Sequence, residues 1–505
     1  METEMTASGK APCIAALGTG SDVGKSIVVT ALCRFFLNRG IRVAPYKAQN
    51  MSNNSGVTPE GLEMGRAQIV QAEASRIPPH VDMNPILLKP TTDVGCQVVL
   101  MGEARENSTA LDYHQKKERL FKTACESLDR LRDQHELVVM EGAGSCAEVN
   151  LMAGDIVNLR MAEYADAPVI LIADIHRGGV FAQIVGTLEC LPPEQRDRIA
   201  GFIINRFRGD IRLFEDGVRW IEQRTGKKVF GVLPWYTHIT IEAEDSVVIE
   251  SPPAVSPGRL GKPSVAVIRI PHISNFTDFD PLSAIDEIDL FFIEKVQNLS
   301  GFAAVILPGS KNTRFDLDWL KTGGWADTLR AYVDNGGHVL GICGGYQLMG
   351  QYVHDPHGLE GTPGSEEGVR LLPVETTLKA PKTTTRSRFM WDGTEGTGYE
   401  IHMGQTDRLG GSPMFTVLEQ NGGTPHNSED GCVSQNGRVM ATYMHGLFDT
   451  PAITRRWLEC IGLGHIPISD ARSGPAARDR EYDLLAEHFE QHMDTEALLG
   501  LVDKA

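Results

Sequence analysis

Two short stretches hold residues whose type and spacing suit chemistry. The first is Gly18-Thr19-Gly20-Ser21-Asp22-Val23-Gly24-Lys25-Ser26. A glycine-bounded loop of this kind presents backbone N–H groups to phosphate oxygens. Lys25 would reach the β- and γ-phosphates of a nucleotide, and the Ser26 hydroxyl would hold Mg²⁺. Five residues separate Gly18 from Gly24 where the common phosphate loop has four. The second stretch is Val339-Leu340-Gly341-Ile342-Cys343-Gly344-Gly345-Tyr346-Gln347-Leu348-Met349. Small residues around Cys343 permit a sharp strand-to-helix turn, and the dipole of the following helix favours a thiolate there. A cysteine nucleophile needs a base that can also protonate the leaving group. His445, in Ala-Thr-Tyr-Met-His-Gly-Leu-Phe-Asp, is the candidate. Leu307-Pro308-Gly309-Ser310 closes another apolar run, and the N–H groups of Gly309 and Gly344 are candidates for an oxyanion hole. Cys343 taken alone reads equally well as a buried core thiol; its context is what points to catalysis.

These residues need elements to carry them. CIAALGT (13–19) is an apolar strand running into the phosphate loop, and SIVVTALCRFFLNRG then has helical spacing with Gly40 as its cap. Further apolar strands are expected at 41–47, 136–142, 168–174 and 200–206. Strands apolar on both faces, alternating with helices, predict a parallel sheet covered on both sides. The second half repeats the scheme at 264–270, 303–309 and 338–345. Between the halves lies SPPAVSPGRLGKP (251–263), whose four prolines suit an extended linker. The expected organisation is a domain over 10–250, the linker, a second domain over 264–460 and a C-terminal tail over 461–505. Residues 354–368 and 464–480 read as irregular, and YDLLAEHFEQHM as a closing helix.

Composition excludes several classes. The 505-residue chain carries 48 Lys+Arg against 66 Asp+Glu, a net charge of −18. So acidic a chain is a poor partner for nucleic acid or an anionic membrane. No window reaches the ~18 apolar residues that a membrane helix needs. The nine cysteines form no C-x-x-C pair and suit reduced thiols in a cytoplasmic protein. A partition-type ATPase is disfavoured, since no basic amphipathic helix is visible and Cys343 and His445 would go unexplained.

The longer phosphate loop resembles that of dethiobiotin synthetase and its relatives. That resemblance implies roles for further residues. Glu141, in Glu141-Gly142-Ala143-Gly144 after strand 136–142, would be a metal carboxylate, and Glu63 a second one. Lys47, Gln49 and Asn50 in KAQNMSNNS would face the substrate, and Asn205-Arg206 would contact the adenine. The Cys343 elbow with His445 is similar to class I glutamine amidotransferase domains of flavodoxin-like fold. Those domains mostly carry His-x-Glu, whereas Leu447 stands at that place here. A Cys–His dyad is therefore expected, oriented by the backbone or by some other acid.

With MNPILLKP, NRFRGD, IPHISNFTDFDPL, LPGSKNT and YEIHMG added, the whole chain resembles the cobyric acid synthase family of cobalamin biosynthesis. The resemblance implies an α/β protein that uses ATP, Mg²⁺ and L-glutamine. It would amidate the b, d, e and g carboxylates of adenosyl-cobyrinic acid a,c-diamide, a small-molecule corrinoid. Cobyrinic acid a,c-diamide synthase is the alternative. Homo-oligomer formation stays open. Lys47, Lys89 and Arg66 are candidates for a positive patch facing the polyanionic substrate, and His402 in YEIHMG for a position near the glutaminase centre.

Overall fold

A computed structural model describes residues 9–92, 95–242, 257, 261–469 and 474–502. The first sheet is wholly parallel and has six strands: β1 (Cys13–Gly18), β2 (Val43–Tyr46), β3 (Leu137–Glu141), β4 (Val169–Asp174), β5 (Ile199–Phe207) and β6 (Lys228–Pro234), in the order β6-β5-β4-β1-β3-β2. Helices α1 (Lys25–Leu37) and α2 (Arg66–Ala74) pack against each other. Leu, Ile, Val and Phe fill both faces of the sheet, as apolar parallel strands require. The order puts the C-terminal ends of β1 and β3 side by side, so the phosphate loop and Glu141 are neighbours.

The second sheet comprises β7 (Ser264–Ile268), β8 (Asp289–Ile293), β9 (Ala304–Leu307), β10 (His338–Ile342), β11 (Cys432–Val433) and β12 (Val439–Thr442), ordered β8-β7-β9-β10-β12-β11. Only the short β11 runs antiparallel. Cys343 stands between β10 and the short helix α3 (Gly344–Leu348). A four-stranded antiparallel sheet, built from the strands spanning 383–391, 394–402, 415–420 and 424–430, lies beside this unit. The periodicity of the sequence had not shown it. Residues 354–368, expected to be a loop, include the hairpin Tyr352–Asp355 with Gly364–Glu367. Of the expected linker, 251–256 and 258–260 lie outside the described residues.

The tail forms α4 (Pro475–Glu490) and α5 (Thr495–Val502), so one helix more than expected closes the chain. These helices pack on the first unit, against α1, β1 and β6. Tyr482, Leu485 and Phe489 join the apolar cluster containing Phe35 and Phe36. Arg34, fully buried on α1, bonds Asp479 at 2.5 Å and Asp483 at 3.1 Å. A buried guanidinium costs several kcal/mol unless paired, which ties α4 to this place.

The double substitution D479N/D483N therefore costs about 2 kcal/mol in urea unfolding, the exposure of both carboxylates screening part of the effect. R34M, which leaves two carboxylates free to hydrate, costs less. The reverse ranking rejects this account of the tail.

Candidate functional site

The phosphate loop has the shape its glycines allow. Gly24 has φ +92°, and a Cβ there would meet the Asn205 amide at 2.1 Å. Asn205 Nδ2 donates to the Val23 carbonyl at 2.9 Å. Asn205 thus braces the loop from the end of β5. Arg206 bonds the Asp22 carbonyl at 2.7 Å and Asp174 at 3.0 Å. Lys25 Nζ donates to the carbonyls of Gly20 (3.0 Å) and Gly144 (3.1 Å), and so lies along the loop. A cavity of about 710 Å³ opens here, lined by Gly24, Lys25, Ser26, Lys47, Gln49, Asn50 and Arg206 among others. Gly18, Thr19, Asn205 and Glu141 do not line it; they support residues that do.

Ser26 Oγ donates to Glu141 Oε1 at 2.8 Å, and Lys47 Nζ meets the same oxygen at 2.8 Å. Gln71 of α2 holds Oε2 at 2.5 Å. One hydroxyl and one carboxylate at the phosphate loop fit Mg²⁺, which draws most of its ligands from phosphate and water. Among the described residues no group of three or more His, Cys, Asp or Glu side chains has metal-binding geometry.

Glu63 does not fit a metal role. Its Oε1 meets Lys89 Nζ at 2.7 Å and Ser55 Oγ at 2.8 Å, and its Oε2 meets Lys382 Nζ at 2.6 Å. Burial pushes its carboxyl up, but Lys382 and Lys89 together outweigh that and hold it well below the usual range. Glu63 is an internal counter-ion between the two units. The expected positive patch dissolves for the same reason. Lys47 is paired with Glu141, Lys89 with Glu63 and Arg66 with Glu242, all buried or nearly so. Unpaired cations would be costly there.

The second centre is built around Cys343, which has φ +52° and ψ −108°, a strained conformation imposed by the turn. A Cβ on Gly344 would meet the Ser310 nitrogen at 2.5 Å, and one on Gly309 would meet His445 Cε1 at 3.1 Å. The elbow, the Gly309-Ser310 turn and His445 therefore converge with no room for side chains between them. His445 lies beside Cys343 and stacks on Tyr399, ring centroids 5.2 Å apart.

The acid that orients His445 was not read from the sequence. Asp278 Oδ2 lies 2.6 Å from His445 Nδ1, and Oδ1 accepts the Gly446 N–H at 2.9 Å. Asp278 stands 167 positions upstream, inside the IPHISNFTDFDPL segment, whose polar residues were the only signal. Burial opposes charge on the ring, but Asp278 and then Cys343 outweigh it and push His445 up to about 10. A protonated His445 can give its proton to a departing amine. Leu447 is fully buried in the apolar core, so the place two residues after His445 serves packing. His402 lies close by: its ring stacks on Tyr443 at 3.6 Å, and the Ile401 carbonyl accepts from Cys343 Sγ at 3.5 Å.

The two centres meet through the amide-rich loop. Asn54 Oδ1 accepts the Phe276 N–H at 3.2 Å, and Asn275 Oδ1 accepts the Ser55 N–H at 3.0 Å. One end of this loop thus lines the nucleotide cavity while the other grips the segment that carries Asp278.

Comparison with known proteins bears on these centres directly. Residues 14–248 match the CobQ/CobB/MinD/ParA nucleotide binding domain, and residues 264–453 the CobB/CobQ-like glutamine amidotransferase domain. A cobyric acid synthase of Chlorobium phaeobacteroides (strain BS1) is 53% identical, over 95% of this chain and 97% of its own. The chain belongs to the cobyric acid synthase family. Cobyric acid synthases of Chloroflexus aurantiacus (46% identical; 95% of this chain, 96% of that one) and Syntrophobacter fumaroxidans (43%; 98% and 99%) match over similar lengths. As a cobyric acid synthase family member the chain is an enzyme, a glutamine amidotransferase ligase of α/β fold. Among the described residues no helix is long and apolar enough to cross a membrane.

D278N removes the charge that raises His445. Its pKa falls toward the ordinary value near 6.5. The form protonated at neutral pH is then lost at lower pH, so the alkaline limb of glutamine hydrolysis moves to lower pH. The rate falls about 10²–10⁴-fold, as for a misoriented imidazole. Amide formation from free ammonia is unchanged. A D278N profile that overlays the parent removes Asp278 from this role.

Proposed function

We propose that the protein converts adenosyl-cobyrinic acid a,c-diamide to adenosyl-cobyric acid, amidating the b, d, e and g carboxylates in turn. The observation that carries this reading is the pairing of a phosphate-loop cavity with a Cys343–His445–Asp278 centre through one shared loop. Each round consumes one ATP and one glutamine. A substrate carboxylate oxygen attacks the γ-phosphorus and ADP leaves, giving an acyl phosphate. Ammonia then attacks the acyl carbon and inorganic phosphate leaves. Lys25 and the loop N–H groups stabilise the charge on the phosphoryl oxygens. Ser26, on the cavity wall, would hold Mg²⁺ with Glu141 bonded behind it, and the ion when bound neutralises phosphate charge. Lys47 keeps Glu141 in place from the other side.

In the second centre Cys343 Sγ attacks the glutamine carboxamide carbon. The N–H groups of Gly309 and Gly344 take the oxyanion, and His445 gives its proton to the departing ammonia. Water then cleaves the thioester to glutamate. The cavity rim supports a large, partly apolar substrate: Met51 and Leu151, both more than half exposed, line it. Exposed apolar side chains of this size at a cavity mark a contact surface.

C343A is expected to lose amidation from glutamine and keep it from ammonia, whereas K25A loses both. Loss of the ammonia reaction in folded C343A overturns the division of labour. The substrate is tested by mass spectrometry with ATP, Mg²⁺ and glutamine. Four successive losses of about 1 Da, the change when OH becomes NH₂, are expected on the a,c-diamide, with cobyrinic acid itself inert. Two losses on cobyrinic acid and none on the diamide point instead to the a,c-diamide synthase reaction.

A further inference from the structure

Glutamine carries a carboxylate on its Cα, away from the carboxamide under attack. Cys343, His445, Asp278, Gly309 and Gly344 all address the carboxamide. A cation stands on the same turn. Lys311 follows directly on Gly309-Ser310, and its N–H donates to the His272 carbonyl at 2.9 Å. The turn is anchored by buried Asp316, which accepts from Ser310 Oγ at 2.6 Å and meets His272 Nδ1 at 3.0 Å. Ser310 is the residue packed against Gly344, and Asn312 reaches across to the Thr91 carbonyl of the first unit at 3.3 Å. Lys311 is therefore mounted on a rigid turn, between the nucleophile elbow and the domain interface.

Its charge is not consumed internally. Lys89 and Lys382 beside it share Glu63, but among the described residues no carboxylate lies within salt-bridge distance of Lys311. Cys343, Glu63 and Glu360 lie within its electrostatic reach. Burial, then Lys89, pulls the Lys311 ammonium down to about 8, so it stays largely charged at neutral pH. Glu63 and Glu360 offset part of the cost of this half-buried ammonium from a distance, and a ligand carboxylate would relieve the rest through a charge-assisted hydrogen bond.

We propose that Lys311 binds the α-carboxylate of glutamine and makes the Cys343 centre selective for an α-amino acid over a simple amide. This rests on Cys343 being the glutaminase nucleophile. The test compares two reagents on the full-length protein, quantifying the Cys343 peptide by mass spectrometry. One is 6-diazo-5-oxo-L-norleucine, which keeps the α-carboxylate; the other is iodoacetamide, which has none. In K311M, labelling by the diazo analogue is expected to slow at least about tenfold, with KM for glutamine rising similarly and kcat changing less. Labelling by iodoacetamide and amidation from ammonia stay at the parent level, and K311R keeps most of the analogue labelling. Unchanged analogue labelling in K311M overturns the proposal. So does equal slowing with both reagents, because Lys311 would then act on the thiol. Failure of the analogue to label parent Cys343 at all overturns the glutaminase reading underneath.

Discussion

A histidine sealed in an apolar core holds a proton only if negative charge is sealed in beside it. The contact between Asp278 and His445 meets that condition, and much of the rest of the structure serves it. Asp278 comes from the short helical turn after β7, and His445 from the loop after β12. Asn275, three residues before Asp278, is held in the left-handed region at φ +52°. Its side chain bonds Ser55 of the first unit and Tyr399, the ring stacked on His445. The glutaminase centre is therefore completed by contacts that the nucleotide-binding unit supplies.

The interface is rich in charge, and nearly all of it is spent internally. Glu63 neutralises Lys89 from its own unit and Lys382 from the other. Glu242, at the cavity edge, holds Arg66 at the start of α2. Arg478 of α4 bonds Glu73 of α2 at 3.0 Å and lies 3.7 Å from Asp449, four residues beyond His445. Buried charges of this kind add little net stability over apolar packing, but they penalise any other docking arrangement. The tail thus belongs to the joint between the units as much as to the first unit's core.

Much of the chemistry was legible in the chain because it is local. The phosphate loop needs a strand, glycines and a helix start within a dozen residues, and Gly18 to Ser26 supply them. The Cys343 elbow is equally compact, and its positive φ follows from the turn. The parallel strands were legible because burial on both faces leaves unbroken apolar runs, as in Val169–Asp174. The antiparallel sheet over 383–430 was not: its burial along Thr383–Trp391 is mixed, and its strands are rich in Thr, Arg and Glu.

What only the tertiary structure decided is the company each charge keeps. A sequence shows that Glu63, Lys89 and Lys382 are charged; it does not show that the fold closes them on one another and so removes Glu63 from metal binding. It places Leu447 two residues after His445, where a carboxylate was missing, yet the carboxylate arrives from Asp278, 167 residues away. Pairings at such separations are set by strand order and domain docking, and no spacing rule along the chain reports them.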